Sequence, residues 1–525
     1  MIHPDSKQFL GLNRSQSIQR FVVTAEQMSH IEGRVFAAGM PVAALMEKVA
    51  GLITAWVRSR FSVSQFPRVG VLVGPGHNGG DALVVARELH VSGYEVKLYQ
   101  PFSQLKDLTA SHAQYIASLG ISVQDQIEAL ASCDLVIDGL FGFGLTRSLE
   151  GAIAAAVDQV NQWSQPVVSI DLPSGLHTDT GAVLGTAIQA THTLCLGLWK
   201  RAFLQEQALA YMGESHLIDF GLPLADITAV LGETPKLQRI TPAMAIESLP
   251  LSRPATTHKY KQGHLLLVCG SRQYMGAAVL AGLSARASGV GMLSIAVPES
   301  MRLLLIAQLP DALVMGCSED DTGAMAQLPE DLEMEKYNAI ACGCGVTPAA
   351  SPVVQQVLAR DRPVVLDADG LNILANLATL PTLKARTAPT ILTPHWGEFK
   401  RLFPELAEAS DDRITAAQQA AQQSGAVVLL KGARTTIASP NGTAWLNPES
   451  TPALARGGTG DVLTGLMGGL LAQGVLRGTA IEQVVFSAAW WHAQAGIMAA
   501  TERSELGVDA STLIHYLIPA LQPYC

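Results

Sequence analysis

Two glycine-rich turns and a set of carboxylates are the parts of this 525-residue chain most able to do chemistry. Arg456-Gly457-Gly458-Thr459-Gly460-Asp461 runs directly into the helical pattern Val462, Leu463, Leu466, Leu470, Leu471. Successive glycines at a helix start aim several N–H groups at one spot, an anion hole suited to a phosphoryl group. As a first-turn residue Asp461 is favoured by the helix dipole, yet inside a phosphate hole it repels anions unless it has a task, and taking a proton from an attacking hydroxyl is that task. In the first half, Gly74-Pro75-Gly76-His77-Asn78-Gly79 has the glycine spacing of dinucleotide-binding turns. The acidic residue expected about 20 positions further on is missing, because that neighbourhood reads Leu98-Tyr99-Gln100-Pro101. The turn is therefore read as a close backbone approach to an anion, not as evidence of hydride transfer.

Asp138-Gly139, running into Gly142-Phe143-Gly144-Leu145-Thr146-Arg147, and Asp171-Leu172-Pro173-Ser174-Gly175 follow apolar runs. Each Asp, with Asp81, has a structural alternative as a turn or helix cap. Arriving with two glycine loops, the three offer oxygens for a cation and one acid/base group. The second half adds Gly276-Ala277, Gly343-Cys344-Gly345, Asp367-Ala368-Asp369, Thr393-Pro394-His395 with Glu398, and Lys431-Gly432-Ala433-Arg434-Thr435. Lys431, after an apolar run, can reach a phosphate or snorkel from a sheet end. His395 sits in a loop, where exposure favours a ligand contact over a core role. No Gly-x-x-x-x-Gly-Lys-Ser/Thr stretch occurs, which excludes a Walker-type cradle.

These loops need strands to carry them. Between about residues 24 and 222, short β-branched runs at 69–73, 95–99, 135–137, 167–170 and 193–196 alternate with helical stretches. Such repetition implies a parallel sheet covered by helices on both faces, with right-handed crossovers that bring the loops after the strands to one edge. A second series of strands is expected at 264–268, 293–297, 338–341, 363–366, 390–392, 426–430 and 435–438. A long helix is expected from about Asp461 to Ala472. Residues 221–254 are Pro-punctuated and lose the pattern, which puts the linker near residue 240 and gives domains of 1–240 and 241–525.

Composition agrees with two α/β domains, since the chain is too long for one core and is 48% apolar and 15% charged, with 47 Gly and 27 Pro. A formal charge of −10 provides no basic footprint for nucleic acid or an anionic membrane, so small-molecule ligands are expected. Seven scattered cysteines suit reduced thiols, and the close pair Cys342 and Cys344 reads as buried thiols rather than a metal site. Met1 to Arg20 is polar, without an apolar signal core, and reads as a frayed leader. A cytoplasmic location is the expectation.

The first half resembles the NAD(P)H-hydrate epimerases over about residues 24–222, through Leu45-Met46-Glu47, Asn78-Gly79-Gly80-Asp81, the Asp138 loop and Asp171-Leu172-Pro173-Ser174-Gly175 in that order. The resemblance implies a Rossmann-like parallel sheet and interconversion of the R and S hydrates of the nicotinamide ring. Carried over, His77, Asn78, Gly79, Gly80 and Asp81, with Gly142, Phe143, Gly144, Leu145, Thr146, Arg147 and Ser148, hold the substrate. Asn78, Asp138 and Ser174 bind potassium, and Asp171 is the acid/base group. His77 and Ala82 stand where the family usually has Asn and Gly.

The second half resembles ribokinase-like proteins, and more closely the NAD(P)H-hydrate dehydratases. It does so through His258-Lys259, Leu366-Asp367-Ala368-Asp369, Thr393 to Glu398, Leu430-Lys431-Gly432 and Gly457 to Asp461, over about residues 250–520. The implied architecture is two three-layer αβα domains. The implied reaction is phosphorylation of the S hydrate's ring hydroxyl, with magnesium and with ADP as donor and AMP as product, followed by loss of phosphate. Carried over, Ala277, Gly345, His395 and Asp461 touch the hydrate. Lys431, Gly432, Ala433, Arg434, Thr435 and Gly460 hold the nucleotide, and Asp461 is the base. The family pattern is broken at Glu449 to Leu454 and by Tyr260-Lys261-Gln262, where added bulk is expected to bear on donor affinity. A homo-oligomer acting on small molecules is the expected assembly. An ATP-dependent kinase of a coenzyme precursor, or a nucleotide-sensing first half, remain alternatives at this point.

Overall fold

The computed structural model describes residues 14–409 and 412–524; residues 1–13 of the stretch read as a leader, and Cys525, lie outside them. The chain divides between Pro235 and Lys236 into two compact units. The Pro-punctuated stretch gives the helix Leu224–Leu231 to the first unit, and the strand Leu237–Arg239 and the helix Pro242–Glu247 to the second.

In the first unit seven parallel strands lie in the order Ser122–Gln124, Glu95–Tyr99, Arg68–Val73, Leu135–Gly139, Val167–Ile170, His192–Leu196, Glu214–Ile218. Alternate side chains feed different cores: Val69, Val71 and Val73 pack on one face, Leu72 and Val136 on the other. That is the signature of a sheet buried on both sides. Strand order reverses between Arg68–Val73 and Leu135–Gly139, so their C-terminal ends flank the crevice where ligands of such sheets bind. The first glycine turn leaves one of these strands and the Asp138 loop leaves the other.

The second unit is built on eleven strands, with a parallel centre ordered Thr390–Leu392, Val364–Leu366, Ala339–Cys342, His264–Val268, Met292–Pro298. Leu265 and Leu267 pack in one core, Leu266 and Val268 in the other, again making three layers. Val427–Leu430, Thr436–Ala438 and Ala444–Leu446 form an antiparallel extension. The helix Thr459–Arg477 runs under this sheet and is buried along most of its length. Glycine allows that approach: a Cβ on Gly465 would lie 2.0 Å from the Ala281 carbonyl oxygen, and one on Gly468 2.9 Å from the Ala341 side chain.

Every strand expected from the sequence forms, with ends shifted by no more than two residues. Of the unexpected ones, Glu214–Ile218 is a half-polar edge strand, Ala444–Leu446 is only three residues long, and Leu313–Glu319, second from the edge, is mostly not buried.

Candidate functional sites

The crevice of the first unit is a cleft of about 700 Å³. Its floor is made by the start of the helix His77–Val91, capped by Gly76 in extended conformation without a side-chain cap, so first-turn N–H groups are left for a ligand. His77, Asn78, Asp81, Gly142 to Arg147 and Asp171 line the cleft. Gly79, Gly80 and Ser148 are not on that wall. Gly79 and Gly80 serve packing, since a Cβ on Gly79 would fall 1.9 Å from the Gly74 carbonyl oxygen and one on Gly80 2.7 Å from the Met46 side chain. The Asn78 amide nitrogen is buried and makes no hydrogen bond. Such a donor costs stability unless a ligand takes it.

Asp171 terminates its strand with φ of 68°, a left-handed conformation that Asp tolerates better than most residues. The backbone N–H of Phe143 donates to its Oδ2 at 2.8 Å, and Lys200 Nζ lies 2.5 Å from its Oδ1. Lys200 is fully buried. Burial alone would lower its pKa, but Asp171, Cys195 and Glu32 outweigh that and raise it, so the ammonium persists. Around this pair stand two further carboxyls. Burial, then the charges of Asp171 and Glu32, push Asp81 well above the ordinary carboxylate range. Burial likewise raises Glu32 to about 7, against the pull of Lys200. The cleft thus holds one ion pair and two carboxyl groups biased toward their neutral form. Lys200 and Glu32 escaped sequence reading: Lys200 closes the two-residue strand Trp199–Lys200, outside any glycine motif, and Glu32 lies on an amphipathic helix, Ala25–Ala37.

Asp138 is wholly buried and accepts from the Ser169 hydroxyl at 2.8 Å, the Ser174 N–H at 2.9 Å, the Ser174 hydroxyl at 2.6 Å and the Leu140 N–H at 3.2 Å. Burial raises its pKa in spite of these bonds. No cation among the described residues pairs with it. The Ser174 hydroxyl also lies 3.2 Å from the Phe141 carbonyl oxygen, so neutral oxygens gather around one buried carboxylate, a donor set matching a hard cation.

In the second unit Gly458 has φ of 92° and caps the helix that begins at Thr459, while Gly457 is exposed. Asp461, in that first turn, has its pKa raised to about 6 by burial and by Asp367, against a hydrogen bond from Cys344 and the charge of Lys431. Lys431 Nζ is 2.7 Å from Asp367 Oδ1 and 3.8 Å from Glu398 Oε2. Thr464 donates to Asp367 Oδ2 at 2.7 Å. Lys431 is therefore held at the sheet end by carboxylates, neither snorkelling freely nor waiting alone for phosphate. A Cβ on Gly460 would sit 3.6 Å from Asp367 Oδ2 and 3.8 Å from Lys431 Nζ, which places the anion hole against this pair.

Gly345, with φ of 65°, abuts Ala277: a Cβ there would come within 2.8 Å of the Ala277 side chain. His395 has a second job beyond the one expected, because its Nδ1 accepts from Gly397 N–H at 2.9 Å and caps the helix Trp396–Leu402. The exposed Nε2 is thereby left as the proton-bearing nitrogen. Gly432, Ala433, Arg434 and Thr435 form the turn between Val427–Leu430 and Thr436–Ala438, and Thr435 bonds the Gly432 carbonyl at 3.1 Å. The divergent segment is accommodated: Glu449 is exposed and 3.6 Å from Arg239, and Ala453 packs with Ala499 and Val508. Asp367, Glu398 and Thr464 are the site's hidden members. Asp367 and Glu398 stood in visible motifs without an assigned role, and Thr464 sits inside the helical pattern.

Two α/β units, each with a carboxylate beside a glycine-rich helix start at the strand edge, define a two-site enzyme. Comparison with known proteins agrees. Residues 42–202 match the family model described as YjeF-related protein N-terminus, and residues 265–519 the model described as NAD(P)H-hydrate dehydratase. A Bifunctional NAD(P)H-hydrate repair enzyme Nnr from a Synechocystis species is 55% identical over 505 residues, covering 96% of this chain and 95% of the relative. The enzyme of that name from Thermosynechococcus vestitus is 53% identical, covering 95% and 97%. Among solved structures, the ADP/ATP-dependent NAD(P)H-hydrate dehydratase of Bacillus subtilis, co-crystallised with ATP and Mg2+, is 35% identical, covers 54% of this chain and 98% of its own, and has a TM-score of 0.46. The chain belongs to the family of bifunctional NAD(P)H-hydrate repair enzymes.

Proposed function

We propose that the chain restores hydrated nicotinamide cofactors in two steps, with epimerisation in the first unit and ADP-dependent dehydration in the second. The observation that carries this reading is one chain with two intact carboxylate sites, aligned almost end to end with relatives named for that repair.

In the first site the hydrate's phosphates lie against the N–H groups of the turn His77 to Asp81, and the loop Gly142 to Ser148 closes over the ring. Asp171, oriented by Phe143 N–H and Lys200, takes the ring-hydroxyl proton as the bond from the hydroxyl-bearing carbon to the ring nitrogen opens to an aldehyde and the nitrogen picks up a proton. The nitrogen then re-adds to the other face of the carbonyl carbon, loses that proton, and the hydroxyl is re-protonated. Asn78, Asp138 and Ser174 would hold potassium, whose charge offsets the buried Asp138. In the second site ADP, as its magnesium complex, lies on Lys431 to Thr435 and Gly460, with the hydrate beside Ala277, Gly345 and His395. Asp461 takes the proton of the ring hydroxyl as that oxygen attacks the terminal phosphorus of ADP, and AMP leaves. The phosphorylated hydroxyl then departs as phosphate, aided by the ring nitrogen's lone pair, and the resulting iminium loses a proton from the adjacent ring carbon to the departing phosphate, which regenerates the reduced nicotinamide. At pH 7 a carboxyl with a pKa of about 6 is mostly ionised yet basic enough to help.

The test is incubation of purified protein with ADP, magnesium and hydrated NADH. Recovery of NADH absorbance with equimolar AMP is expected; no recovery would refute the reading.

A further inference from the structure

At the far end of the first unit's sheet, away from its cleft, lies a cluster that repair chemistry does not use. The strands His192–Leu196 and Glu214–Ile218 pair in parallel with His192 opposite Glu214 and Leu194 opposite His216. Side chains on a strand alternate between faces, so Glu214 and His216 share a face, and the register places His192 beside them. Both strands begin here, which puts the cluster at the N-terminal edge, roughly 13 Å along the strand from the edge that carries Asp171.

The ring nitrogens point inward. His192 Nδ1 is 3.4 Å from Glu214 Oε2, and His216 Nε2 is 3.3 Å from Glu214 Oε1. Neither nitrogen has a hydrogen-bond partner, although both are shielded from solvent. One donor atom from each of the three residues falls within 4.8 Å of the others. Atoms bound to a tetrahedral Zn2+ at about 2.0–2.1 Å are separated by about 3.3 Å. The two His–Glu separations are close to that value, and the open nitrogens make the cluster a poor set of hydrogen bonds. Trp56 packs at 5.2 Å from the His192 ring and 4.9 Å from the His216 ring, so both imidazoles are braced.

We propose that His192, Glu214 and His216 form a Zn2+ site, completed by water, that pins the sheet's edge strand to its neighbour. Two imidazoles and a carboxylate suit a borderline ion such as Zn2+ rather than magnesium or potassium, and water in the fourth position gives a four-coordinate site. Arg60 lies over Trp56 at 4.4 Å and sets a positive charge near the ion, so its removal strengthens binding.

The full-length protein, freed of metal with a chelator, is titrated with Co2+ and then Zn2+. One equivalent of Co2+ with the intense visible bands of tetrahedral coordination, displaced by Zn2+, is expected. The His192→Gln/His216→Gln double variant loses those bands while dehydration in the second unit is unchanged. Should that variant fail to fold, Glu214→Gln at an exposed position is expected to weaken Co2+ binding at least tenfold, and Arg60→Gln to tighten it. No tetrahedral spectrum from the unmodified protein, or the same spectrum and affinity in these variants, overturns the site.

Discussion

In the first unit Asp171 shares a closed environment with the fully buried Lys200, whereas in the second the cation nearest the base, Lys431, is already bonded to Asp367. Asp171 is therefore an ion-paired group beside two carboxyls whose pKa burial raises, and Asp461 a group outside any ion pair whose proton affinity burial has raised. The contrast matches the two tasks. Reversible exchange at one carbon needs a carboxylate held in a fixed pose, while activating a hydroxyl for phosphoryl transfer needs a base tuned close to the working pH.

The largest expected effects separate the two sites. Asp461→Asn lowers dehydration by about 10²–10⁴-fold, the range of a lost general base, with epimerisation intact. Asp171→Asn gives the converse. NADH absorbance reads the first and resolution of R and S hydrates the second. Next comes the contrast between the lysines. Lys200→Met strands a buried carboxylate and is expected to cost the first unit about 3–5 kcal/mol in denaturant titration. Lys431→Met strands Asp367, which is also buried but keeps its bond from Thr464, and in addition weakens ADP binding. Unchanged ADP binding in Lys431→Met would erase the distinction drawn between them.

Much of this was legible in the chain, and the reasons are local. The Gly457 to Asp461 turn advertised itself because successive glycines at a helix start make an anion hole, in which a carboxylate is repelled unless it has a task. Central strands such as Val167–Ile170 announced themselves as apolar runs. Lys200, Glu32 and Thr464 were not legible, because their roles come from neighbours distant in sequence: Thr464 meets Asp367 across 97 positions. Gly79 and Gly80 read as ligand contacts, and their close packing on the Gly74 backbone and the Met46 side chain was not legible, because glycine motifs do not distinguish approach to a ligand from approach to the rest of the chain.

That difference supports a glycine comparison. Gly79→Ala drives a Cβ into the Gly74 carbonyl and is expected to leave little folded first unit by circular dichroism and thermal melting. Gly460→Ala meets nothing closer than 3.6 Å, so the fold survives while KM for ADP rises. The smallest effects are in pH. Dehydration is expected to fall as pH drops through about 6, where Asp461 takes up a proton, and Asp461→Asn removes that limb. Glu32 binds its proton more tightly folded than unfolded, so its contribution makes the first unit less stable as pH rises from about 4.5 to about 7 and is flat above. Melts of Glu32→Gln should lose that part of the slope.

The R hydrate is expected to need epimerisation in the first unit before the second can dehydrate it. The most direct test is the initial rate of NADH formation from pure R hydrate, with ADP and magnesium, in the Asp171→Asn protein. The unmodified enzyme is expected to convert R and S hydrates, and the variant to convert S at the normal rate while failing on R. Conversion of R by the variant at the unmodified rate would contradict the account.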